Sequence, residues 1–145
     1  MGTQQILMIV LSVIVVGAAV AVGIEMFDTQ SNNQARNAIS LDLLQHAVQA
    51  QAWYRTPKIM GGGGYEIDAT DIPDIAKFIN QEAGATSEFE NPNGSFVFSL
   101  APDDEVQIIG TARSNPNIVI TAIVDLTGQK HDIDDYDRGI KIIFN

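Results

Sequence analysis

Two histidines, His46 and His131, are the only side chains that ordinarily titrate near neutral pH, and nothing in their spacing pairs them. His46 lies beside Gln45 in a helical stretch and His131 follows Lys130 in a loop, so both are expected at ordinary surface positions. The chain has no cysteine, which removes disulfides, thiolate zinc ligands and thiol catalysis together. Ser99 and Ser114 lack the strand-turn-helix context of a nucleophile elbow. The densest set of potential ligands is Asp132, Asp134, Asp135 and Asp137, four carboxylates within six residues. Such a run could offer a hard cation such as calcium its oxygen ligands. It lacks the spacing and the turning glycine of an EF-hand, so a solvated acidic loop is the plainer expectation, and no other cofactor is expected. Gly61-Gly62-Gly63-Gly64 is followed by Tyr65-Glu66 rather than by a lysine and a hydroxyl residue, which argues against a phosphate-binding loop. These glycines predict a turn with positive φ or a close backbone approach. Asn93-Gly94-Ser95 is a glycosylation sequon beside a proline turn, so Asn93 is a candidate for modification.

With no catalytic constellation in view, an enzyme is not expected. Nor is a nucleic-acid partner. The formal charge is −10, from 18 acidic against 8 basic side chains, and the basic ones are scattered from Arg36 to Lys141. Displacing counterions from phosphates needs them concentrated on one face. At 145 residues the chain has room for one compact core plus an extended element.

The extended element starts early. Residues 6–24 read ILMIVLSVIVVGAAVAVGI, in which Ser12 is the only polar side chain, and no charged side chain precedes Glu25. A helix of that length rises roughly 28 Å, enough to cross the hydrocarbon of a bilayer. Three readings fit the segment: a cleaved signal with a small-x-small site at Ala19-Val20-Ala21, a simple anchor, or a stem that waits in a membrane and then packs against copies of itself. A signal peptide is the poorer fit, because MGTQQ supplies no basic n-region. Gly17 and Gly23 weaken the helix by about 1 kcal/mol each relative to alanine, but small residues let other helices approach closely.

Residues 25–55 separate the three readings. They contain neither proline nor glycine, and Ile39, Leu43, Ala47, Ala50 and Tyr54 recur at intervals of four, four, three and four. With Leu44 and Val48 alongside, they predict an apolar stripe on one side of a helix that continues from near Thr3 to near Arg55 and stops at Thr56-Pro57. A second, short helix is predicted over 71–80, with Gly84 at its end or in the loop after it. Four strands are predicted at 95–100, 106–112, 117–124 and 139–144, all rich in β-branched and aromatic residues and separated by turn-formers. Loops this short leave no room for crossovers, so the sheet is expected to be an antiparallel meander with the helix stripe covering one face. The fold class is therefore α+β. Residues 1–27 form the stem and 28–145 the head, the latter comprising the amphipathic half-helix (28–56), a glycine-rich turn and short helix (57–90) and a sheet (91–145).

A helix that is apolar in its first half and laid on a four-stranded antiparallel sheet in its second resembles the type IV pilin fold. Leu7-Met8-Ile9-Val10 matches the LMIV run common in the pilin stem, and the passage from Ala50 to Pro57 followed by four glycines resembles the junction of helix and head. The sequence departs from the family in having no basic leader and no glutamate at the fifth position; Gln5 or Ile6 stands there, depending on the alignment. Leader processing and charge-guided docking of the usual kind are accordingly not expected, and the resemblance is to a divergent member. It implies a cell-surface filament subunit with a membrane-inserted precursor pool, partnered by copies of itself, the inner membrane and a pilus-type assembly machinery. Its core packing would use Ile6, Leu7, Met8, Ile9, Val10, Leu11, Val13, Ile14, Val15, Val16, Val20, Val22 and Ile24. The alternative is a non-polymerising, single-pass anchored protein whose extracytoplasmic head binds a partner.

Overall fold

The computed structural model describes residues 2–80, 87–127 and 139–145. Helix α1 spans Gly2–Arg55. The chain divides into two compact units, Met1–Gln34 and Ala35–Asn145. In the first unit the described residues are helix throughout. From Ala35 onward α1 belongs to the second unit, which also holds helix α2 (Ile72–Ile79) and strands β1 (Glu88–Glu90), β2 (Gly94–Ala101), β3 (Glu105–Ala112), β4 (Val119–Asp125) and β5 (Ile140–Phe144).

The strands lie in the order β1-β2-β3-β4-β5, every neighbouring pair antiparallel, so the meander expected from the short loops is present. It has five strands rather than four. The extra one, β1, is Glu-Phe-Glu, too short to register as a β-rich run, and it falls at the end of the stretch expected to hold only turn and helix, up to residue 90. Phe89 faces the core while Glu88 and Glu90 face water, the alternation a half-buried edge strand requires. Gly84, expected to end the short helix, lies outside the described residues, and α2 stops earlier, at Ile79, with Asn80 donating its amide to the Ala76 carbonyl.

One face of the sheet and the stripe of α1 make the core. Register places Phe89, Phe96, Gly110 and Ile120 in one inward row and Phe98, Ile108, Ala122 and Ile142 in the next. Over these rows α1 contributes Ile39, Leu43, Ala47 and Ala50, all fully buried, and Trp53, while α2 adds Ile72, Ile75 and Ala76. The crossing is close because Gly110 has no side chain. A Cβ built there would lie 2.8 Å from the Ile39 methyl and 3.1 Å from the Phe96 ring. Each large apolar side chain buried in this layer is worth about 1.5–3 kcal/mol relative to exposure.

Polar ties hold the helix to the sheet at two places. Gln51 donates its side-chain amide to the Asp125 carbonyl at the end of β4, 2.9 Å away and buried. Toward the other end of the stripe, Asp42 accepts from the amides of both Asn91 and Asn93, each at 2.8 Å, in the β1–β2 turn. Asn91 in turn accepts from the backbone N–H groups of Asn93 and Gly94, which closes that turn on itself.

The four glycines finish α1. Pro57 forbids another helical turn, and the chain folds back so that the N–H groups of Gly63, Gly64 and Tyr65 bond the carbonyls of Trp53, Thr56 and Tyr54. These are the orphan acceptors of a helix C-terminus. Gly61 has φ 83°, and a Cβ at Gly63 would stand 2.6 Å from the Trp53 ring. Both reasons anticipated for glycine, left-handed backbone and close approach, operate in this turn.

Candidate functional site: an unpartnered apolar helix

The first unit has no core of its own. All thirteen large apolar side chains between residues 6 and 24 are 50–72% exposed, and Met26 and Phe27 continue the same surface. Their exposures are nearly uniform around the helix, so no side is covered. A soluble monomer seldom exposes a contiguous apolar patch above a few hundred Å², and a helix apolar all round belongs in lipid or in a protein core. By length and composition α1 can cross a membrane.

Polar groups in this segment are satisfied internally. Ser12, its one hydroxyl, donates to the Met8 carbonyl at 2.7 Å, so burial of the stem strands no donor there. Gly17 and Gly23 meet nothing: a Cβ at either would have no neighbour within 4 Å. Within one chain these glycines only weaken the helix; they leave shallow places where another helix backbone could come close. Charge returns at Glu25 and Asp28, after which residues 29–34 are polar and uncharged. Thr29 bonds back to the Glu25 carbonyl, as Ser12 does to Met8.

The helix-sheet residues anticipated from periodicity are where the stripe puts them. Ile39, Leu43, Ala47 and Ala50 are buried and Tyr54 is half-buried against the core. Leu44 and Val48 are not on that face; they are 44% and 52% exposed. At 3.6 residues per turn they lie about 100–140° round the helix from the centre of the stripe.

His46 corrects the expectation of a surface histidine. It is 8% exposed and its ring meets Phe89 and Phe96 edge-on, with centroids 5.1 and 4.8 Å away. Neither ring nitrogen makes a hydrogen bond, and the Trp53 indole N–H is likewise buried without a partner. Burial pushes the His46 pKa down, opposed by the Asp42 carboxylate. The position is on the stripe; only its polarity hid it.

His131 and the aspartates Asp132, Asp134, Asp135 and Asp137 lie outside the described residues. Among the described residues no group of three or more histidine or acidic side chains could hold a metal ion. Asn93 is exposed, but its amide nitrogen, the atom a glycan would join, donates to Asp42. Ser99 lies in β2 and Ser114 in an exposed turn, and neither is brought to a histidine among the described residues. Sequence reasoning passed over a second apolar surface, Ile59, Met60 and Tyr65 in the turn after α1, exposed to 96, 73 and 67%. Its only sequence signal is an Ile-Met pair between Lys58 and the glycines.

Searches of protein-family models, of curated proteins and of solved structures return no match to this chain.

Proposed function

We propose that this chain is the structural subunit of an extracellular type IV pilus-like filament, polymerised through its N-terminal helix. The observation that carries the reading is the stem, thirteen large apolar side chains exposed on every side with no charged side chain among them. Such a surface suits two successive surroundings, a bilayer before assembly and a bundle of like helices afterwards. Transfer from lipid to bundle exchanges one apolar environment for another, so the gain comes from close packing and small residues rather than from leaving water. Ser12, self-bonded, is at home in both. A long helix joined to an antiparallel meander is the architecture a pilin-like subunit would use. The acidic head would keep the finished polymer soluble. The partners of this reading are copies of the chain, the inner membrane that holds the precursor and an assembly machinery of the pilus type.

Electron microscopy of the sheared cell-surface fraction tests it, with Val13→Asp and Val16→Asp as variants. Wild-type chain should appear as filaments. Either aspartate should abolish them, since an unpaired carboxylate in an apolar bundle costs several kcal/mol, while the circular dichroism of the head stays unchanged. Normal filaments from the variants would overturn the assignment. A detergent-extracted monomer with no wild-type filaments would point to a single-pass anchor whose head binds a partner.

A further inference from the structure

The turn after α1 holds an apolar tip in a tightly built frame. Within it the Met60 and Gly62 N–H groups bond the Pro57 carbonyl, Gly61 bonds Lys58, and Gly63, Gly64 and Tyr65 bond back to the end of α1. Gly62 has no room for a Cβ, which would collide with the Thr56 backbone. Tyr65 is held at φ 68°, a left-handed conformation that is strained for a bulky residue, with its ring edge-on to Tyr54 at 5.7 Å. This frame displays Ile59 and Met60 to solvent, Ile59 at 96% exposure. Phe78, 46% exposed, borders a groove that Gly61 also lines. A framework built this tightly around side chains that bury little in their own chain is preorganised for a contact elsewhere.

Charge selects the occupant. Every charged side chain lies at or beyond residue 25, so the whole side-chain charge of −10 sits outside residues 6–24 and two heads repel one another. The one cation in the turn, Lys58, is paired with Glu66 at 2.6 Å, and the groove beside the tip is lined by one charge of each sign, Asp74 and Lys77, so neither sign prevails there to attract an oppositely charged surface. Residues 6–24 of another copy offer the complementary surface: apolar, exposed and free of charged side chains. Resting on the filament reading, we infer that the Ile59-Met60 tip docks on the stem of a second copy, so that each head clasps a neighbouring helix as well as contributing its own. Stem packing would then be supplemented by a contact made only in the polymer.

The cysteine-free sequence permits a direct test. Full-length Ile59→Cys chain is co-assembled with chains carrying one cysteine at each stem position from 6 to 24 in turn, and the filaments are oxidised. A disulfide-linked species of twice the 15.7 kDa chain mass is expected at a subset of stem positions recurring every three or four residues. Thr70→Cys, exposed on the head, should give none with any stem position. Ile59→Asp, at a site too exposed to disturb folding, should lower filament yield about tenfold or more with head circular dichroism unchanged. Filaments that form normally from Ile59→Asp, with no stem position cross-linked by Ile59→Cys, would overturn the tip contact and leave the filament reading standing. Absence of filaments from the wild-type chain would overturn that reading, and the tip contact with it.

Discussion

Between three phenylalanines and the helix that carries it, His46 has no hydrogen-bond partner for either nitrogen, so a proton there gains little and loses hydration. Its folded pKa lies below the ordinary value of 6.5 because burial outweighs the attraction of Asp42. In the unfolded chain it titrates normally. As pH falls through about 6.5 the unfolded state therefore takes up the proton first, and stability declines until the folded pKa is reached, below which this contribution levels off. Above 6.5 both states are neutral and the residue adds no pH dependence. Melting temperature should fall between about pH 7 and pH 5 more steeply in the wild type than in His46→Phe, whose ring suits the aromatic surroundings. Equal slopes would show that the histidine is already hydrated or paired. That His46 is buried was legible in its spacing, three residues after Leu43 and four before Ala50, but a search for apolar stripes skips polar residues. The same search admits Leu44 and Val48, which sit on the water side.

At the scale of elements, strands β2 to β5 were readable because runs of β-branched and aromatic residues are punctuated by Pro-Asp, Asn-Pro and Thr-Gly turns. Strand β1 was not, since three residues cannot display a period and its place is fixed by pairing Phe89 with Phe96 and by the Asn91 turn. The meeting of α1 with the sheet was readable in outline as a stripe needing a face. Its seat was not, because that depends on Gly110, a residue that looks like a flaw in a strand. Gly110→Ala should destabilise the head by about 1–3 kcal/mol through overpacking, and Ile39→Ala by about 2–5 kcal/mol through lost burial and a cavity. The pair is in contact, so the two changes should not add. With the Ile39 methyl gone the new Cβ has room, and the double variant should be more stable than the summed losses allow by about 0.5–3 kcal/mol. Denaturant unfolding of the four chains gives this coupling, and strict additivity would mean that Ile39 does not rest on Gly110.

For the whole molecule, assembly into the filament proposed above would set two forces of different range against each other. Packing among residues 6–24 would be short-ranged and involve no charged side chain, whereas the charge of −10 carried by residues 25–145 would repel neighbouring subunits over a distance set by salt. The Debye length is roughly 30 Å at 0.01 M salt and about 3 Å at 1 M. Raising salt across that range removes most of the repulsion and leaves the apolar contacts intact or strengthened. Filaments of this chain should thus become harder to dissociate as salt rises, the opposite of a polymer held by ion pairs between subunits. The sequence leads to the same expectation, because no charged side chain precedes Glu25 and none within residues 6–24 could add a salt-weakened ion pair between packed helices. Sedimentation of preformed filaments in about 0.01, 0.15 and 1 M sodium chloride measures the effect, as the fraction of chain left in the supernatant at a fixed total concentration. That fraction should fall or stay level with increasing salt in the wild type. A rise at the highest salt would place the dominant contact between charged heads, and the stem would then serve only to hold the precursor in its membrane.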